Sequence, residues 1–384
     1  MYYTMIIKSK RVYITGVFTP ATIEINNGII TNISSYESKK ADIDYGNKRI
    51  VPGFIDIHCH GAYGFDTDTA DENGLRNWTK GIVQEGVTGF LATTLTQSHE
   101  ILEESVKNVA KVHDADDYEG AKILGIHFEG PYLDMKHKGA QPPEAIVPPN
   151  AEEFKQYQTA ANGLIKIITM ACEHDQDFEL TKYASTHGVI VSMGHSDTTF
   201  EQALLAVANG AKSITHTYNA MTPFSHRENG LVGCALRLHD LYSEIICDCN
   251  HSTPEALNIF FKTKDPDKCI MISDALMCKG FKPGEVFDFG GHDVVIYPDG
   301  SAHLVEEKNL AGSTMKINEG LRNLVEKALV PVDVAINSCT INPARMLKLD
   351  DHIGRICSGY DADIVVLDDD YSVIQTFVKG KSQL

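Results

Sequence analysis

The stretch Phe54-Ile55-Asp56-Ile57-His58-Cys59-His60 is apolar and β-rich up to Ile57, then ends in two histidines one residue apart. Such a run reads as a strand buried on both faces. Seven more short apolar runs follow it, ending at Leu95, Phe128, Met170, Met193, Thr215, Cys247 and Ser273. From Ile57 to Ser273 their mean spacing is about 31 residues, the size of one βα unit. Helix-like segments at 75–85, 100–112, 198–209 and 254–262 fill several of the gaps. Buried strands alternating with helices predict a parallel sheet, and eight such units predict an α/β fold of the (β/α)8 TIM-barrel type. The competing fold is an open doubly wound sheet, but no Gly-rich phosphate fingerprint follows the first run.

The two ends of the chain have a different texture. Val12-Tyr13-Ile14, Ala21 to Ile25 and Ile29 to Ile33 are β-prone, with Asn27-Gly28 between the last two. Asn-Gly between apolar runs signals a hairpin. Asp363 to Leu367 and Val373 to Val378 look like strands separated by an acidic turn. The expectation is a small β-sandwich domain made of residues 1–52 plus 353–384, flanking a barrel over 53–352.

Composition narrows the class. The chain has 384 residues, with 34 Lys plus Arg against 52 Asp plus Glu, a formal net charge of −18. With 43% apolar and 22% charged residues, it is neither disordered nor a disulfide-stapled miniature. Nucleic acid is not an expected partner, since its binding needs a basic footprint. At first sight the charge also disfavours an anionic substrate. Nine cysteines form no CxxC pair and are odd in number. Reduced thiols and a cytoplasmic location are the expectation. Lys8, Lys10 and Arg11 interrupt the first apolar stretch, so no secretory segment is expected. No run of 18 apolar residues exists, so no membrane partner is expected either.

In a (β/α)8 barrel the chemistry sits at the C-terminal ends of the strands. Those ends read His58-Cys59-His60, His127-Phe128-Glu129, Gly194-His195-Ser196, Thr215-His216, Asp248 shortly before His251, and Ser273-Asp274-Ala275. Residues i and i+2 of a strand face the same way, so His58 and His60 form a metal half-site. Imidazole with carboxylate suits zinc, iron or a similar divalent ion. Cys59 is turned away from that pair by the same alternation. Cys247 and Cys249 read as buried barrel thiols rather than ligands. His99, His113, His174, His187, His239, His292, His303 and His352 read as solvated or structural.

Pro52-Gly53-Phe54-Ile55-Asp56-Ile57-His58-Cys59-His60 resembles the opening signature of the amidohydrolase superfamily. Further motifs resemble its N-acetylglucosamine-6-phosphate deacetylases. They are His127 to Tyr132, Gly194-His195-Ser196, Thr215 to Met221, Ser273-Asp274-Ala275, Leu310 to Ser313 and Gly359 to Asp363. The resemblance implies that Glu129, His195 and His216 hold a catalytic metal and that His58 and His60 hold a second ion. It makes Asp274 the catalytic acid/base and a possible metal ligand. It implies one or two divalent ions per subunit, Zn2+ or alternatively Fe2+. It assigns substrate contacts to Ala140, Gln141, Asn219, Ala220, Arg227 (a phosphate clamp), His251, Leu310, Ala311 and Gly312. Gln141 stands where some relatives carry His, and Thr217 where Leu is usual.

The implied reaction is hydrolysis of N-acetyl-D-glucosamine 6-phosphate to D-glucosamine 6-phosphate and acetate, in amino-sugar catabolism. The implied partners are the small amino-sugar phosphate and further copies of the chain, as homodimer or homotetramer. One alternative is the galactosamine epimer of the substrate. Another keeps the barrel but performs cyclic-amidase or deaminase chemistry, which often uses a carboxylated Lys at the end of strand four. Here Lys166 comes early in that run. A non-catalytic scaffold would be marked by missing ligands, and all six are present.

Overall fold

The computed structural model describes residues 4–384. Residues 1–3 of the expected terminal segment lie outside the described residues. Eight parallel strands form the barrel: β1 (Phe54–Cys59), β2 (Val87–Thr93), β3 (Lys122–Glu129), β4 (Ile165–Met170), β5 (Ile190–Met193), β6 (Ala211–Ile214), β7 (Tyr242–Ile246) and β8 (Cys269–Ile272). Each pairs in parallel with its neighbour in the chain, in order from β1 to β8. Every strand ends within two residues of the apolar run that predicts it.

The helices begin at polar side chains that satisfy free N–H groups. Asp71, Ser98 and Thr253 cap Glu72–Ile82, His99–Ala115 and Pro254–Thr263. Thr199 and Gln202 form a capping box on Phe200–Ala208. Inside the ring, Ile55, Ile57, Leu91, Ile167, Ile246, Ile270 and Ile272 make a packed plug, closed from below by Ile341, Met346 and Ile353. The N-terminal end is therefore solid, and only the C-terminal end has room for chemistry.

The ring closes between β8 and β1 just past the strand ends. Asp274 N–H donates to His58 O at 2.9 Å, and His60 N–H donates to Ala275 O at 2.9 Å. Below them Ser273 Oγ donates to buried Asp56 Oδ2 at 2.5 Å.

Terminal strands form a separate eight-stranded sheet. Thr4–Ile14, Val17–Asn26 and Ile29–Ser35 run as antiparallel neighbours. Asn27 and Gly28 both have positive φ, as a type I′ hairpin turn requires. The C-terminal strand Ile364–Leu367 pairs antiparallel with Arg49–Pro52, which joins both ends of the chain in one sheet. Its own core includes Ile7, Ile23, Ile25, Ile50, Ile364 and Phe377. A three-stranded sheet (Val286–Phe289, His292–Ile296, Ala302–Leu304) follows β8 and was not legible in the sequence.

Past Asp274 the chain is pinned by a fully buried ion pair, Lys279 Nζ to Glu85 Oε2 at 3.0 Å. Tyr63 Oη also donates to Glu85, at 2.8 Å. Lys279→Met leaves the Glu85 charge without its partner, so unfolding free energy should fall by about 3–5 kcal/mol. Chemical denaturation measures this, and adding Glu85→Gln to Lys279→Met should recover part of the loss.

Candidate active site

Six side chains from five strand ends meet at the barrel mouth. His58 and His60 come from β1 and its end, Glu129 from the end of β3, His195 and His216 from just past β5 and β6, and Asp274 from just past β8. Glu129 Oε1 lies 3.5 Å from His58 Nε2, 3.5 Å from His195 Nε2 and 3.3 Å from His216 Nε2. Asp274 Oδ1 lies 3.3 Å from His58 Nε2 and 3.2 Å from His60 Nε2. His60 Nε2 also lies 3.2 Å from Glu129 Oε2.

Backbone strain accompanies this convergence. His195, His216 and Asp274 all have positive φ, which costs a side-chain-bearing residue about 1–3 kcal/mol. Local hydrogen bonds hold them. His195 O accepts from Asp134 N, His216 O accepts from Asn219 N, and Asp274 O accepts from Ser313 N at 2.7 Å. After Glu129 the chain turns at Gly130, where a Cβ would meet Thr96 Oγ1 at 2.1 Å. Glycine is required there because the backbone passes directly against Thr96.

The electrostatics are those of a site with one missing charge. Burial pushes Glu129 up, but His58 and His195 outweigh it and hold the carboxyl well below its ordinary range. Burial likewise opposes ionisation of Asp274, yet His58 and His60 bring it to about 2. Burial pulls His60 down, while Asp274 and Glu129 raise it to about 9. His58 is raised well above normal by Glu129 and Asp274 against its own burial.

These donors fit a divalent ion. Glu129 Oε1 and His58 Nε2 are buried with no hydrogen-bond partner among the described residues. His195 Nε2 and His216 Nε2 face each other at 3.1 Å. Among the groups with the ligand types and closeness of a cation site, two are built from these six side chains: Glu129–His195–His216, and His58–His60–Asp274. Unpaired buried polar atoms are costly, and a cation shared among them removes that cost.

Outer contacts orient the ligands. His195 Nδ1 lies 2.9 Å from His137 O, and His216 Nδ1 lies 3.2 Å from Asn219 O. Gln141 is clamped: its Oε1 accepts from Thr96 N–H, and its Nε2 donates to Glu129 Oε2, both at 2.8 Å. The amide thus steadies a carboxylate ligand. Beneath the site, His127 Nδ1 faces Ile57 O at 2.9 Å, so this nitrogen carries the proton. Its Nε2 meets Thr169 Oγ1 at 2.7 Å, which continues to Thr215 Oγ1. Burial holds His127 well below its ordinary pKa, in keeping with a neutral ring.

A cavity of about 140 Å3 opens over this cluster. Of the residues singled out in the sequence, His60, Glu129, Ala140, Gln141, His195, His216, Asn219, Ala220, His251, Asp274, Leu310 and Gly312 line it. His251 is held by Asp248, Nδ1 to Oδ2 at 2.7 Å. Three others stand apart. His58 is fully buried behind the wall, as is Ala311. Arg227 lies in the exposed segment 223–229, outside the cavity and without a carboxylate partner among the described residues. Gly139, Leu276 and Phe289 also line the wall and were missed. Phe289 arrives on the inserted three-stranded sheet and meets His60 edge-on at 6.0 Å.

The cysteines and Lys166 stay out of the chemistry. Cys59 is buried, and burial pushes its thiol pKa up, as it does for Cys247 and Cys249. Lys166 sits second in β4, at the end of the strand opposite the site, and its Nζ donates to Gly163 O. No helix among the described residues is long and apolar enough to cross a membrane.

Removing divalent ions should lower the unfolding midpoint, and restoring Zn2+ should raise it. At a thousandfold excess over Kd the stabilisation is about 4 kcal/mol. A thermal melt before and after chelation measures this; an unshifted melt would mean the cluster closes without a cation.

The amidohydrolase family model matches residues 49–382. The chain is 40% identical over 366 residues to the N-acetylglucosamine-6-phosphate deacetylase of Bacillus subtilis (strain 168), covering 93% of this chain and 91% of that protein. It is 29% identical over 359 residues to an N-acetylgalactosamine-6-phosphate deacetylase of Escherichia coli O157:H7, covering 94% and 93%. Among solved structures it is similar to a mutant N-acetyl-D-glucosamine-6-phosphate deacetylase from Mycobacterium smegmatis in complex with N-acetyl-D-glucosamine-6-phosphate. That match has a TM-score of 0.94 and 27% identity, covering 99% of each chain.

Proposed function

The chain belongs to the amidohydrolase family, and we propose that it hydrolyses N-acetyl-D-glucosamine 6-phosphate to D-glucosamine 6-phosphate and acetate, in amino-sugar catabolism. One observation carries this reading. Six imidazole and carboxylate side chains converge at the barrel mouth, five of them lining one small cavity and His58 buried just behind it, in a chain 40% identical over 93% of its length to such a deacetylase. The 29%-identical galactosamine relative keeps that epimer as the second reading.

Amides resist water because the carbonyl is weakly electrophilic and the amine leaves poorly. Glu129, His195 and His216 would hold one divalent ion, with His58, His60 and Asp274 available to a second. Zinc is the first assignment and iron(II) the other. A bound ion supplies Lewis acidity and brings the pKa of water toward about 7. Asp274 is the proton carrier. Held as a carboxylate, it takes a proton from the attacking water as the new C–O bond forms. It returns that proton to the amide nitrogen as the C–N bond breaks, so the amine leaves neutral with acetic acid, which gives up the water's second proton to solvent and becomes acetate. Gln141 keeps Glu129 aligned and is not free to act as a cationic electrophile.

Asn219, Ala220 and His251 form a polar wall suited to the sugar and its phosphate. Arg227 is proposed as the phosphate anchor, since a guanidinium pairs bidentately with phosphate. Its exposed segment follows Asn219–Ala220 in the chain, so it reaches a ligand by folding inward or from a second copy in a homodimer or homotetramer. A cytoplasmic location goes with this reading.

Asp274→Asn should cut acetate release at least a thousandfold while bound metal, measured on the same sample, stays within twofold. Residual activity near wild type would remove the proton role. Arg227→Ala should raise KM for the phosphorylated sugar by about 10–100-fold, the worth of a charged hydrogen bond, and leave the unphosphorylated sugar unchanged. Acetate release from both N-acetylhexosamine 6-phosphate epimers decides between the two substrates.

A further inference from the structure

One buried carboxylate takes no part in the mechanism above. Glu244 is the third residue of β7 and is fully buried. Ser243 and Ile245 alternate with it, so Glu244 faces the barrel interior on the same side as Ile246, part of the interior plug. Its Oε2 lies 3.0 Å from His58 Nδ1 and 3.4 Å from the backbone N of His216. Its Oε1 has no hydrogen-bond partner among the described residues. Among the described residues His58 is its one ion-pair partner, and no Lys or Arg reaches it.

We propose that Glu244 is a positioning residue that fixes His58 for the second metal ion. This rests on the reading that the His58/His60 pair holds an ion. The assignment follows from hydrogen-bond chemistry. An ionised carboxylate only accepts, so His58 Nδ1 carries the proton, and the lone pair is left on Nε2. That atom lies between Glu129 and Asp274, with no hydrogen-bond partner among the described residues. A carboxylate behind a ligating histidine is the usual way to set its tautomer and ring angle.

A rival assignment would make His58, His127 and Glu244 a cation site of their own, since their donor atoms lie within 4.8 Å of one another. Both nitrogens of His127 are already committed, to Ile57 O and Thr169 Oγ1. His58 Nδ1 is committed to Glu244 itself. The cluster supports a ligand and does not hold an ion.

The test reads metal, without substrate. Protein loaded with Zn2+ is titrated with a chromophoric chelator, for wild type, Glu244→Gln and Glu244→Leu. Glutamine keeps an acceptor for His58 and loses the charge, while leucine loses both. Wild type should hold two equivalents. Glu244→Gln should keep one unchanged and release the other about 10–100-fold more readily, with Glu244→Leu looser still. Unchanged release curves, equal loosening of both ions, or a single equivalent in wild type would each overturn the proposal. Should Glu244→Leu fail to fold, His58→Asn is compared with the His58→Asn/Glu244→Gln pair. No further metal loss is expected there, and an added loss would place the action of Glu244 elsewhere. Acetate release by wild-type protein stands apart from these outcomes, so a one-ion enzyme would end this proposal and leave the deacetylase reading intact.

Discussion

The closure between β8 and β1 carries the rest of the structure. Two hydrogen bonds, Asp274 N to His58 O and His60 N to Ala275 O, seal the ring where the sheet would otherwise end in an open edge. Three of their residues, His58, His60 and Asp274, also place side chains in the ligand cluster. The same backbone bonds that complete the barrel therefore set the separation of His58, His60 and Asp274. Asp56 and Ser273 brace the seam, and the Lys279–Glu85 pair anchors the chain beyond it. A change at this seam alters stability and site geometry together, since neither has a separate scaffold.

Burial then turns geometry into reactivity. Carboxylates and imidazoles normally avoid dry interiors unless paired. Here they are packed together, with lone pairs aimed at common points and several atoms unpartnered. The arrangement stores a demand for positive charge that a divalent ion meets. It also reconciles the acidic chain with an anionic substrate. Net charge governs solubility and long-range behaviour, whereas a few residues at the barrel mouth set the local field.

Much of this was legible in the linear chain, for identifiable reasons. The eight apolar runs locate the strands because a parallel strand must be apolar on both faces. The residues after those runs point to the site because strand C-termini share one end of the barrel. His58 and His60 announce themselves by period-two alternation. Glu244 did not, because it sits inside an apolar run, and its partner His58 is 186 residues away. Gln141 drew attention as a departure from His, yet its clamp ties the loop after β3 to the end of β2 at Thr96, 45 residues away, and leaves no local trace. Phe289 reaches the cavity on an inserted sheet whose short strands have no place in the βα rhythm.

By itself the sequence determined the barrel, the pairing of terminal strands by texture, and the chemical types gathered at the strand ends. Those are local properties: periodicity, capping and turn residues act over a few neighbours. Tertiary structure alone decided which nitrogen faces which oxygen, that Arg227 stands outside a single chain's cavity, and that a third carboxylate supports His58. Those depend on distances between segments far apart in the chain. Such distances are set by how the ring closes and how the helices pack around it, and no local pattern encodes them.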